Sequence, residues 1–265
     1  MYSLEGKNVF ITGSSSGIGQ ELALECARLG AFCVLHSHPD GEDDLRKVSA
    51  WLEDITGVRA PWFTADLSLP EGPRQAYEGV RALVKQVDVL VNNAGLMLYG
   101  NFHDLDLDKQ DRLFMVNARA CMVLMRLFLG DMVQRGSGRV LNVCSTSAFQ
   151  PSAHHALYGA TKAFIQSMSE GIQQELRGTG VSVHTLNPPY TDTPLLHGRD
   201  FPEKVLWYRI GGLMRPDDVA RKGVRAFMRG KGLYIPGFRN RFIHLFLPRV
   251  MPRRLAAAIS YYVLR

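Results

Sequence analysis

Asn8-Val9-Phe10-Ile11-Thr12-Gly13-Ser14-Ser15-Ser16-Gly17-Ile18-Gly19 is the stretch on which the reading of the fold turns. Its first four residues are a short apolar run of strand type, and a turn rich in glycine and serine follows at once. Leu22, Ala23, Leu24, Cys26 and Leu29 then predict a helix that stops at Gly30. Strand, glycine turn and helix in that order are the setting in which glycines serve phosphate binding. They permit the tight turn, and they let backbone N–H groups and the helix N-terminus approach a pyrophosphate. With these flanks the stretch reads as a dinucleotide site, with Gly13, Ser15, Ser16, Gly17, Ile18 and Gly19 as its binding residues.

Downstream, 31–36 reads as a second strand. At its end, where an acidic side chain would hold the ribose 2′-hydroxyl of NAD, stand Ser37 and His38. Neither repels a 2′-phosphate and both can donate to one, which favours NADP(H) over NAD(H). A helix over 42–56 and a third strand over 60–64 come next, followed by Asp66 and Leu67. A helix over 71–85 leads to a buried strand, 87–91, that ends at Asn92-Asn93-Ala94-Gly95, where small residues let the backbone lie close to a planar ligand. A long helical region over 107–132 carries Asn117 in its apolar stretch. Strands follow at 140–145, at 181–186, broken by Asn187-Pro188-Pro189, and at 233–235. Strands alternating with helices predict an α/β fold, a Rossmann-type doubly wound parallel sheet of about seven strands with helices on both faces. No linker or internal repeat divides it, so residues 1–265 read as a single domain, with a core over 7–237 and a C-terminal extension over 238–265.

After the strand that ends at Ser145 comes a predicted helix carrying Tyr158 and Lys162. Residues four apart share a helix face, so the phenol and the ammonium can share a site. A free phenol titrates near ~10, and a cation held beside one stabilises its phenolate. With a hydroxyl from the strand end, the set suits proton transfer to or from a ketone or secondary alcohol.

Composition limits the alternatives. At 265 residues, 46% hydrophobic and 21% charged, the chain is an ordinary globular one. It has no run of eighteen apolar residues, so no membrane-spanning helix is expected, and Met1–Lys7 lacks a basic-then-apolar leader pattern. Cys26, Cys33, Cys121 and Cys144 sit in apolar segments without metal-ligand spacing. They read as reduced thiols of a cytoplasmic protein. His36 and His38 have no third ligand nearby, so no metal site is expected. The net charge of +6 is unevenly placed: residues 201–265 hold 14 Lys+Arg against 3 Asp+Glu, and the first 200 hold 17 against 22.

In order, Thr12-Gly13-x-x-x-Gly17-x-Gly19, Asn92-Asn93-Ala94-Gly95, Asn117, Ser145 and Tyr158-x-x-x-Lys162 resemble the motifs of the short-chain dehydrogenases/reductases, over roughly residues 7–237. The resemblance implies Tyr158 as general acid in reduction and base in oxidation. It implies that Lys162 also holds the nicotinamide ribose, that Ser145 hydrogen-bonds the substrate oxygen and that Asn117 holds a water in a proton relay. Asp66 is implied to contact adenine, Asn93 to lie under the adenosine ribose and Thr193 to touch the carboxamide. Leu67, Ala94, Gly95, Pro188 and Thr191 complete the implied cofactor contacts. Family members often pair through the helices placed here at 107–132 and 158–177, implying a homodimer or homotetramer. Two departures stand out. Pro188-Pro189 replaces the usual Pro-Gly, so either the loop beside the nicotinamide is reshaped or the glycine was only permissive there. The chain also runs on for about thirty residues beyond the last strand, enough for two helices.

Leu96, Met97, Tyr99, Phe149, Gln150, His154, His155, Tyr190 and the segment 195–213 with Trp207 and Tyr208 are the candidate pocket residues. Their apolar and aromatic character suits a small lipophilic or aromatic carbonyl compound. His154 or His155 could assist as a polar contact, although histidines placed just before a helix are more commonly at the surface. Gly198, Gly211 and Gly212 could hinge 195–213 as a lid. The basic, apolar tail is read first as packing over that lid or a partner subunit, second as resting on an anionic membrane surface, and last as docking a carrier protein or nucleic acid. Against the enzyme stands one alternative, a non-enzymatic NADP-binding sensor or scaffold that keeps the fold.

Overall fold

Val9, Phe10 and Ile11 have no exposed surface, as befits the first strand, β1 (Asn8–Thr12), which is an interior strand of the sheet. The computed structural model describes residues 1–197, 206 and 212–264. From β1 the chain runs through α1 (Gly17–Arg28), β2 (Phe32–Ser37), α2 (Glu42–Thr56), β3 (Trp62–Thr64), α3 (Gly72–Leu83) and β4 (Val89–Asn92). Helices α4 (Leu107–Phe114) and α5 (Cys121–Gln134) precede β5 (Gly138–Val143). Then come α6 (Ala156–Glu175), β6 (Val181–Leu186), α7 (Pro216–Met228) and β7 (Leu233–Tyr234). The sheet order is β3-β2-β1-β4-β5-β6-β7, every pairing parallel.

Alternation along each strand sends neighbouring side chains to opposite faces. Val9, Ile11, Cys33, Leu35, Val89 and Val91 pack on one side with Leu22 and Ala23 of α1, Leu45 of α2 and Val219 of α7. Phe10, Val34, Leu90, Val140 and Val183 pack on the other with Val80 of α3, Phe128 of α5 and Ile165 of α6. Both faces are covered, which is why the strands read as near-continuous apolar runs. The order reverses between β1 and β4, and the crevice beyond their C-terminal ends is where open α/β sheets bind ligands.

Several boundaries differ from the sequence expectation. The fifth strand stops at Val143, because the Ser145 hydroxyl accepts from the Ser147 amide (3.1 Å) and turns the chain into a short 3₁₀ helix, Thr146–Phe149. The helical region from Leu107 is interrupted by a π-turn, Met115–Ala120, with Asn117 inside it. Leu107–Gln134 is long and apolar enough to cross a membrane by length and composition. Half of its most apolar window is buried in the protein, where α5 supplies Leu124, Met125, Phe128 and Met132 to the core. The C-terminal extension forms two helical runs. One passes through Phe238–Arg241, a π-turn at Phe242–Phe246, and Leu247–Val250; the other is Arg253–Val263. Most of the expected lid, including Gly198, Trp207, Tyr208 and Gly211, lies outside the described residues.

Candidate active site

A cleft of about 680 Å³ runs across the C-terminal ends of β1, β2, β4, β5 and β6. This is within the size range of ligand and cofactor sites. Its floor is the glycine turn. Gly13 and Gly17 have left-handed φ of 64° and 57°, conformations that glycine adopts without strain. A Cβ on Gly19 would stand 2.2 Å from the Gly13 carbonyl oxygen and 2.3 Å from Asn93 Nδ2. Asn93 braces the same turn, donating from Nδ2 to the carbonyls of Thr12 (3.0 Å) and Gly13 (2.8 Å). The Thr12 hydroxyl accepts from the amides of Asn93 and Ala94. Ser16 begins α1 without a side-chain cap, so the orphan amides at that N-terminus remain open to an anion from the cleft. The residues therefore fit a dinucleotide pyrophosphate. Gly19→Ala is expected to lower stability by about 1–3 kcal/mol and to weaken NADPH binding at least about tenfold. Calorimetric titration with thermal melts would check this, and wild-type values for both would refute it.

At the end of β2 the side chains form a charged cluster. Ser37 pairs with Ser15 through their hydroxyls (2.9 Å). His38 lies within 3.2 Å of Asp40 and 3.3 Å of Asp66, and Arg112 from α4 reaches His38 Nε2 at 2.9 Å. The expectation of a strand end clear of carboxylates is thus corrected: Asp40, two residues beyond His38, folds back against it. Burial raises Asp66, but the Ser68 hydroxyl and amide and nearby His38 outweigh this and hold its carboxyl below the usual range. Arg112 and Lys109 both line the cleft, and sequence reading missed both. Their i, i+3 spacing on α4 was the only signal.

At the other end, α6 presents Tyr158 and Lys162, both buried and both lining the cleft with Ser145. Lys162 Nζ donates to the Val143 carbonyl (2.9 Å) and lies 5.7 Å from the centre of the Tyr158 ring. The Ser145 hydroxyl oxygen accepts from the Ser147 amide N–H, which leaves its own proton to donate. Asn117 does not line the cleft. Its Oδ1 accepts from the Leu96 amide (2.7 Å), and its Nδ2 donates to the Leu96 carbonyl (2.9 Å) and to Thr161. A Cβ on Gly95 would sit 3.5 Å from both Asn117 Oδ1 and Lys162 Nζ, so the two groups flank that glycine. Pro188 and Pro189 are buried in the cleft wall, and their carbonyls accept from the Thr146 amide and the Thr191 hydroxyl. Leu67, Ala94, Gly95, Thr191 and Thr193 also line the cleft.

The expected pocket residues divide. Leu96, Met97 and Tyr190 face the cleft. Tyr99 instead donates to the carbonyl of Leu264 in the tail and stacks near His154. His154 has φ 61°, rare for a residue with a side chain, and its ring lies between Tyr99 and Tyr261. His155 is not at the surface: it is buried edge-on between Tyr158 and Tyr190. Burial, and His154 beside it, push its imidazole down to about 4. All four thiols are buried and unpaired, and burial pushes each of them up, Cys33 and Cys144 to about 12.

The short-chain dehydrogenase family model matches residues 7–203. A ketoacyl reductase, HetN, from Nostoc sp. is 32% identical over 233 residues, covering 85% of this chain and 77% of that protein. The solved short-chain dehydrogenase from Sphingobium yanoikuyae in complex with NADPH superposes with a TM-score of 0.81 at 29% identity, covering 92% of this chain and 93% of that one. A 3-ketoacyl-(acyl-carrier-protein) reductase from Brucella melitensis complexed with NADH gives 0.77 at 29% identity, covering 89% and 99%. Solved neighbours hold either nicotinamide coenzyme, and the uncapped α1 and glycine turn provide for one here. The chain is an oxidoreductase that belongs to the short-chain dehydrogenase/reductase family.

Proposed function

We propose that the protein is an NADP(H)-dependent carbonyl reductase that interconverts a ketone and a secondary alcohol. The carrying observation is that Ser145, Tyr158 and Lys162 converge from two elements on the cleft that the glycine turn opens into. Nicotinamide, when bound, supplies the hydride. Ser145 holds the carbonyl oxygen with a hydrogen bond from its hydroxyl and keeps its proton, and Tyr158 transfers its phenolic proton to that oxygen as the alcohol forms. The Lys162 ammonium steadies the charge left on Tyr158 and anchors the ribose. Asn117 fixes the Gly95–Leu96 backbone beside Lys162. Met97, Tyr190 and Leu196 give the substrate end an apolar wall suited to a lipophilic or aromatic carbonyl. Similarity to two ketoacyl reductases supports a keto-acyl group among the candidates.

Ser37, Arg112 and Lys109 offer donors and positive charge to a 2′-phosphate, which supports NADPH over NADH. Phe114, Met122 and Phe164, exposed on α4, α5 and α6, support a dimer through those helices. The buried thiols fit a reducing, cytoplasmic compartment.

Turnover of a ketone panel, read as loss of reduced coenzyme absorbance, tests the reading. NADPH is expected to outperform NADH, and Arg112→Ala to weaken NADPH by about ten- to a hundredfold with little effect on NADH. Coenzyme binding without turnover of any ketone or alcohol would favour the sensor or scaffold instead. Equal loss for both coenzymes would remove Arg112 from the 2′-phosphate.

A further inference from the structure

The tail's first helical run is apolar on two sides. Inward, Ile243, His244, Leu247 and Met251 wall a small chamber of about 140 Å³ that shares Thr146, Ser147 and Tyr190 with the cleft. Outward, Phe238, Phe242, Phe246 and Val250 are 83%, 52%, 53% and 62% exposed. Their spacing of four keeps them on one side of the helix. The Phe242 and Phe246 rings stack with centroids 5.3 Å apart. The second helix adds exposed Leu255 and Tyr262. Both runs are fixed to the body, through Ala153 N–H to Ser260 Oγ (2.9 Å), Tyr99 to the Leu264 carbonyl, and Asn240 to the Pro236 carbonyl (3.0 Å). The exposed face is thus held outward on a docked scaffold. A contiguous aromatic stripe of this kind marks an interaction surface.

Charge decides between occupants. From Val219 to Arg265 the sequence has eleven Lys+Arg and no Asp or Glu. Arg241 and Arg249 immediately precede Phe242 and Val250, so they flank the stripe at about 100° around the helix. Arg249, Arg253 and Arg254 are exposed, and among the described residues none has a carboxylate partner. A second copy brought against this face would oppose like charges. A nucleic acid would engage the arginines and leave the phenylalanines in water. An anionic membrane satisfies both, with rings at headgroup depth and arginines on the phosphates. The run from Phe238 to Val250 is about 20 Å long, too short to span a bilayer core of about 30 Å, so it lies in the interfacial plane.

We propose that the C-terminal helices dock the protein on an anionic lipid surface through the Phe238-Phe242-Phe246-Val250 stripe and its flanking arginines. Docking sets the chamber beside the cleft close to the membrane. The proposal does not depend on turnover, since binding alone reads it.

The full chain would be sedimented with phosphatidylcholine vesicles, with and without phosphatidylglycerol, at low and raised salt. Binding is expected only to the anionic vesicles and to weaken with salt. A double variant, Phe242→Asp with Phe246→Asp, should lower the partition coefficient at least about tenfold. These rings point outward, and unchanged near-ultraviolet circular dichroism would verify the fold. A second variant, Arg249→Gln with Arg253→Gln and Arg254→Gln, should lose the preference for anionic lipid. Partitioning of the wild type to neither vesicle, partitioning indifferent to lipid charge, or equal partitioning of wild type and both variants would overturn the proposal. So would a dimer in sedimentation velocity that the phenylalanine variant splits, since the face would then belong to a second copy.

Discussion

Tyr158→Phe is expected to lower ketone turnover by about 10²- to 10⁴-fold, with NADPH affinity and melting temperature close to wild type. The ring is buried and packs near His155 and the Lys162 ammonium. Phenylalanine keeps that volume and removes only the hydroxyl of a residue that lines the cleft. Substrate loses the proton donor that answers the hydride, and coenzyme loses little, because Lys162 stays tied to the Val143 carbonyl. The effect therefore belongs in kcat rather than in the coenzyme dissociation constant. Single-turnover rates with a saturating ketone, set beside fluorescence titration of NADPH, separate the two. A variant as fast as wild type would move the proton transfer to another group, and buried His155, edge-on to Tyr158 and Tyr190, would be the first to examine.

The fold was legible because its signals lie within contiguous residues. Val9-Phe10-Ile11 and Val89-Leu90-Val91 alternate between two cores, and the helices between strands carry one apolar stripe each. The positions of Ser145, Tyr158 and Lys162 on one cleft were legible for a related reason: a strand end and a helix face fix directions locally. What stayed hidden depends on partners far along the chain. His155 is buried because Tyr190, thirty-five residues on, closes over it. Tyr99 turns from the cleft because the tail's Leu264 carbonyl accepts from it, 165 residues away. Arg112 matters because α4 crosses the end of β2, a placement that no local spacing encodes. Asn117 sits in a π-turn, whose extra residue leaves no mark in an apolar periodicity of 3.6. The tail's composition was plain, but which of its apolar residues face water follows only from how Ser260 and Asn240 seat it.

Stability is expected to fall steeply as pH drops from about 6.5 to about 4. His36, His155 and His244 are buried, and in each case burial pushes the folded imidazole down to about 4. An unfolded histidine titrates near ~6.5. Below that pH the unfolded chain takes up protons that the folded chain refuses, so each group favours unfolding until the pH reaches its folded value. The stability these histidines contribute is present above about 6.5 and lost on the way to 4. A depression of this size is worth roughly 3 kcal/mol per group. Three such groups approach the whole stability of an ordinary domain, ~5–15 kcal/mol. The protein should therefore unfold near the bottom of this window rather than at the lower pH where carboxylates titrate. His36 is the cleanest probe, packed edge-on against Phe10 and Phe63 inside the sheet. His36→Leu should remove about a third of the slope of unfolding free energy against pH between about 4 and 6.5. Urea midpoints measured across that range read the slope directly. A wild-type profile flat down to pH 4 would mean that these imidazoles protonate within the folded protein, and the account of their burial would fail.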